Sequence, residues 1–154
     1  MAKTRWLDAR QQHVWQGYLH VNQQLFAFLE QQLARESGLS GADYMVLHPL
    51  SVAPDGLLRA RDLGSEIGWD RSRLSHHLSR MEKRGLVARE ECAEDARGLM
   101  VRLTKLGRRA IEEAAPAHAE AVQRYFFDQL SKDEIETMAA VFDRVLDNLQ
   151  REMT

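Results

Sequence analysis

Two single glycines punctuate the middle of the chain, and they leave few folds open to it. Gly68 and Gly85 bracket the stretch 71–84, whose apolar residues Leu74, Leu78 and Met81 fall on one side of a helix turning about 100° per residue. Before Gly68, residues 61–67 read as a shorter helix with Leu63 and Ile67 on one side. Gly68 suits the close of that helix and Asp70 the cap of the next. Two short helices joined by about three residues that include glycine form a helix-turn-helix. After Gly85, residues 86–90 start like a strand, 92–98 are polar and turn-like, and 99–103 alternate like a second strand. A hairpin with a charged tip therefore follows the two helices.

The flanks read as helix. Residues 8–36 place Val14, Tyr18, Val21, Leu25, Phe28 and Leu29 at three- and four-residue steps, and Ser37-Gly38 closes the run. Ser40, with Asp43 as an approximate capping-box partner, opens a second helix striped by Tyr44, Leu47 and Leu50, with Pro49 in or near its end. Residues 53–56 are a turn, and Leu57-Leu58 suit a short strand. Thr104 is a candidate cap for a long helix reaching about residue 129, with a possible kink at Pro116. Ser131 and Glu134 form a capping box before a last helix striped by Ile135, Met138, Val141, Phe142, Val145, Leu146 and Leu149. The expected fold class is mainly α with a small β-wing: a winged helix-turn-helix over 39–103, between an N-terminal helical part, 1–38, and a C-terminal one, 104–154.

Charge divides along the same lines. The net charge is −2, but residues 59–109 hold thirteen Lys or Arg against eight Asp or Glu, a local +5, whereas the rest carries −7. A basic centre between acidic flanks is what a duplex-binding module on a separate scaffold needs. At 44% hydrophobic and 29% charged, the 154 residues suffice for a core. No apolar run reaches the roughly 18 residues of a membrane span. Residues 1–10 lack the apolar stretch of a signal peptide. The single cysteine, Cys92, allows no intrachain disulfide and suits a reducing compartment. A cytoplasmic location is expected.

On the helix 71–84, Ser72, His76, Ser79 and Lys83 fall opposite the apolar stripe, with Arg73 and Arg80 on the flank and Arg71 in the first turn. The outer face bears no acid; Glu82 lies nearer the buried edge. Arginine can donate two hydrogen bonds to a guanine edge in the major groove. Serine and histidine permit close approach, and the free N–H groups of a helix start favour phosphate. The DNA-contacting set is thus Arg71, Ser72, Arg73, Ser75, His76, Ser79, Arg80 and Lys83. In the hairpin, Arg97 suits a minor groove, with Asp95 placed to hold its guanidinium.

The run WDRSRLSHHLSRMEKRGLV from Trp69 to Val87, the tip Glu94-Asp95-Ala96-Arg97-Gly98 and the segment VRLTKLG from Val101 to Gly107 resemble the MarR family of bacterial regulators. The resemblance covers nearly the whole chain. It implies a triangular homodimer in which residues 8–36 and 104–152 interlock as dimerisation helices. It implies recognition helices in successive major grooves of a pseudo-palindromic operator, with half-sites about one helical turn, roughly 10 bp, apart. It places the Asp95–Arg97 pair at the minor groove. It also implies repression, often relieved by a small phenolic ligand or an oxidant.

Other chemistries find less support. The peroxide-sensing branch of the family carries its cysteine near the N-terminal helix, where this chain has none; at Cys92, Arg89 would favour a thiolate, but Glu90, Glu91 and Glu94 would oppose it. Adjacent His76 and His77 point about 100° apart and cannot chelate together. His77 reads as a packing residue, and no metal or cofactor is expected. Trp15, Tyr18, Tyr44 and His48 either line a pocket for a small aromatic effector or pack in the core and dimer. Nucleotide, hydrolase and zinc-protease motifs are missing, so the chain reads as no enzyme, with no catalytic residues. A protein–protein adaptor would expose apolar residues where this helix shows Arg, Ser, His and Lys.

Overall fold

The computed structural model describes residues 4–92, 94 and 98–154. Helix α1 (Ala9–Ser37) starts from Asp8, whose carboxylate accepts from the Gln11 N–H while the Gln11 side chain accepts from the Asp8 N–H. It stops at Gly38, where φ is +71°. Helix α2 (Gly41–Val52) opens with the reciprocal Ser40–Asp43 box, both bonds 2.9 Å, and continues through Pro49. A 3-10 turn (Pro54–Gly56) leads into β1 (Leu57–Arg59), α3 (Ala60–Ile67) and α4 (Arg71–Lys83). Strands β2 (Val87–Glu91) and β3 (Leu99–Leu103) complete an antiparallel sheet of order β1-β3-β2, with Leu58 opposite Val101 and Val87 opposite Leu103.

Helix α5 (Lys105–Tyr125) runs through Pro116. It stops short of the extent expected from sequence, because Phe126 leaves helical geometry and residues Phe127–Gln129 tighten into a 3-10 turn. The capping box of Ser131 and Glu134 then starts α6 (Lys132–Met153). The chain divides into two compact units, 1–118 and 119–154.

The core of the first unit gathers the predicted apolar stripes. Leu47 and Leu50 of α2, Leu63 of α3, Leu78 and Met81 of α4 and Val101 of β3 are almost completely buried. Burial of each such side chain contributes about 1.5–3 kcal/mol. The start of α5 is pinned beneath α4: the Thr104 hydroxyl donates to the Gly85 carbonyl at 2.6 Å and accepts from the Gly107 N–H at 3.0 Å. Gly107 is glycine for a steric reason, since a β-carbon there would lie 2.0 Å from the Leu86 carbonyl oxygen.

Two helical faces find no cover among the described residues. Val14, Trp15, Tyr18 and Val21 of α1 are 48–66% exposed, and Val141, Phe142, Val145, Leu146 and Leu149 of α6 are 38–54% exposed. Among the described residues no helix is long and apolar enough to cross a membrane.

Candidate nucleic-acid interface

Helix α4 is held by both ends and by its inner face. Gly68 closes α3 at φ +70°, so that the Trp69 N–H reaches the Gly64 carbonyl at 3.0 Å. Asp70 then caps α4 by accepting from the Arg73 N–H at 2.8 Å. Leu74, His77, Leu78 and Met81 face inward. The expected contacting residues Arg71, Ser72, Arg73, Ser75, His76, Arg80 and Lys83 are all exposed. Ser79 is half-buried, and its hydroxyl donates back to the Ser75 carbonyl at 3.0 Å.

The single acid of α4 is drawn away from this face. Glu82 accepts from the Arg89 N–H at 2.9 Å and from its guanidinium at 3.1 Å, hydrogen bonds that hold the Glu82 carboxyl below its usual range. The exposed side of α4 therefore offers cations, hydroxyls and one imidazole, the donors that phosphates and base edges accept from.

Two arrangements had no signal in the sequence. The guanidinium of Arg73 lies over the Trp69 ring, 4.2 Å from its centroid, so the indole serves as a platform for an outward arginine. Asp43, read as a helix cap, is only 1% exposed and also ties α2 to α4: it accepts from His77 Nε2 at 2.9 Å and from Arg84 at 2.7 Å. Burial raises the Asp43 carboxyl, but the Ser40 N–H bond and Arg84 outweigh it and hold the group below its ordinary value. His77 meets the Trp69 ring edge-on at 5.5 Å, and its Nδ1 lies 3.0 Å from the Arg80 guanidinium. Helical spacing showed His77 to be internal; nothing local to either residue linked it to Asp43, 34 positions away.

The hairpin has the expected strands, and Arg102 pairs with Glu90 across them. The predicted minor-groove pair, Asp95 and Arg97, lies outside the described residues. Cys92 is half-buried beside the tip.

The four aromatic and imidazole residues considered for an effector appear as two groups. Trp15 stacks on Tyr18 at 5.7 Å, both half-exposed on α1. Tyr44 stacks with His48 at 6.1 Å and meets the His118 ring at a tilt, 4.2 Å between centroids. Trp15 stands fifteen residues before Glu30, which lies against Gly41 of α2; at 1.5 Å per residue that is about 22 Å along α1. Close to Tyr44, two buried polar atoms have no hydrogen-bond partner among the described residues: Gln32 Oε1 and His118 Nδ1. The Gln32 amide nitrogen donates to the Ala117 carbonyl at 3.0 Å, which brings these two atoms into one neighbourhood. Burial pushes His118 down, helped by His48, and pushes the Tyr44 phenol up. Among the described residues no group of three or more metal-ligating side chains converges.

A model of the MarR family matches residues 37–98. The chain is similar along its length to the crystal structure of AbsC, a MarR family transcriptional regulator from Streptomyces coelicolor, with 35% identity, a TM-score of 0.90, and 96% of this chain and 99% of that one covered. It is equally similar to Sco3205, a MarR family transcriptional regulator from the same organism solved in complex with DNA, at 35% identity and a TM-score of 0.92, covering 96% and 92%. PcaV, a transcriptional regulator from Streptomyces coelicolor solved with its natural ligand, is 25% identical with a TM-score of 0.71, covering 94% and 98%. The chain spans about half the length of a curated relative, the HTH-type transcriptional regulator YdgJ of Bacillus subtilis (strain 168), at 30% identity over 88 residues, 57% of this chain and 53% of that one.

Proposed function

Because this chain belongs to the MarR family of transcriptional regulators, we propose that it is a cytoplasmic, homodimeric repressor that grips a pseudo-palindromic operator through α4 and releases it when a small aromatic or phenolic ligand binds. The observation that carries the reading is the outward face of α4. Arg71, Arg73, Arg80 and Lys83 are exposed there, and the helix's one acid is bound to Arg89. That Sco3205 was solved in complex with DNA supports duplex DNA as the partner. Arg71, Ser72, Arg73, Ser75, His76, Ser79, Arg80 and Lys83 enter the major groove, and Asp95 with Arg97 serves the minor groove.

The uncovered apolar faces of α1 and α6 support a dimer, since a second copy removes them from water. Tyr44, His48, His118 and Gln32 support an effector site in the first unit: an aromatic wall beside two unsatisfied polar atoms suits a ring bearing a hydroxyl or carboxylate. Trp15 and Tyr18 serve the dimer face in this reading. An effector acts by favouring a half-site spacing that DNA does not fit. The test is selection from a random DNA pool by the purified protein. An enriched motif of two half-sites about 10 bp apart, released by aromatic acids, supports the proposal; an unenriched pool overturns it.

A further inference from the structure

The contact between His77 and Arg80 has a chemistry with one solution. A guanidinium can only donate, so His77 Nδ1, 3.0 Å from Arg80, must present its lone pair. An ionised carboxylate can only accept, so His77 Nε2, 2.9 Å from Asp43, must bear the proton. The two neighbours thus select the neutral, Nε2-protonated tautomer. The ring is buried, whereas Arg80 is exposed on the side of α4 assigned above to DNA.

We propose that His77 is a positioning residue for DNA recognition: anchored by Asp43, its neutral ring fixes the guanidinium of Arg80 toward the groove, and protonation of the ring releases it. The proposal rests on the DNA-binding reading. A protonated ring would turn an N–H toward Arg80, replacing an accepted hydrogen bond with a donor facing a donor and a cation facing a cation. The charged groups around the ring come from three places. Asp43 of α2 favours the cation, whereas Arg80 of α4 and Arg84 just after it oppose it. Trp69, from the α3–α4 turn, contributes an uncharged ring edge, with Arg73 over its face. Burial is the largest influence and, with the two arginines, keeps His77 below its ordinary value despite Asp43. The ring is therefore neutral at neutral pH, and Arg80 is held; the hold weakens as pH falls through the depressed value.

The readout is the ratio of affinities for a duplex enriched by the wild-type protein and for random duplex, because the ratio cancels sequence-independent phosphate attraction. For the wild type it falls several-fold as pH is lowered from neutral through the depressed titration of His77. His77→Gln retains a donor and an acceptor but does not titrate at position 77; with His76 common to both proteins, its ratio falls several-fold less than the wild type's over the same pH range. His77→Phe keeps the packing against Trp69 but loses the acceptor, and its ratio falls about tenfold at pH 7.5, the worth of one good base contact. The double variant His77→Phe/Arg80→Ala loses no more in total than Arg80→Ala alone. Equal pH profiles for the wild type and His77→Gln, or additive losses in the double variant, overturn the proposal while leaving DNA binding intact. If His77→Phe does not fold, the His77→Gln profile decides. If the wild type enriches no duplex, the DNA-binding reading fails and this proposal with it.

Discussion

The guanidinium of Arg73 rests 4.2 Å from the centroid of Trp69. The indole is 8% exposed and part of the core, so the arginine on it is aimed by the fold rather than left to sample solvent. A cation over an aromatic face is stabilised by about 0.5–2 kcal/mol, and an arginine oriented in advance loses less entropy on meeting a base.

Arg73→Ala should therefore weaken binding to the enriched duplex by about 1–3 kcal/mol and to random duplex by much less. Lys83→Ala should weaken both alike and reduce the slope of log affinity against log salt by about 1. Titrations of each variant on both duplexes check this; equal losses for Arg73→Ala contradict base reading by that residue.

Asp43→Asn should destabilise the fold by about 2 kcal/mol near neutral pH. A buried charge pair is broken, but Arg84 is half exposed and partly screened. The folded carboxyl lies below its ordinary value, so its contribution is fully present above the ordinary carboxylate range and is lost as pH falls through the depressed value. Urea midpoints of wild type and variant should differ most at neutral pH and converge in acid. A gap that stays constant with pH contradicts this role for Asp43.

Gly107→Ala should cost about 3 kcal/mol or more, because the new β-carbon would meet the Leu86 backbone rather than a movable side chain. Thermal or urea unfolding measures it. An unchanged midpoint would mean that the α5 start shifts freely, against the Thr104 bonds that hold it.

Much of this was legible in the chain because the determinants are local. Gly38, Gly68 and Gly85 have positive φ, and Asp70 and Ser131 cap the helices they precede, as their residue types indicate. The exposed side of α4 follows from spacing once Leu74, Leu78 and Met81 define the inside. Features that depend on distant partners were not legible. Asp43 serves as a cap in sequence and as a bridge to His77 and Arg84 in space, and a capping pattern does not distinguish the two. Trp15 and Tyr18 shared an aromatic character with Tyr44 and His48, but chain order did not show that α2, which carries Tyr44 and His48, starts against α1 at Glu30, about 22 Å along α1 from Trp15. His118 and Gln32 joined Tyr44 through a fold-level contact between α1, α2 and α5.

The central claim is that the outer face of α4 recognises a specific duplex. The most direct test is binding of the purified protein to the DNA upstream of its own gene and to a duplex selected from a random pool, with random-duplex competitor and a salt series. The account predicts competitor-resistant, salt-sensitive binding of two chains per site, lost when Arg71, Arg73 and Arg80 are replaced together by alanine in a protein that still folds. Binding that random duplex abolishes on both probes, or that survives the triple replacement, contradicts it.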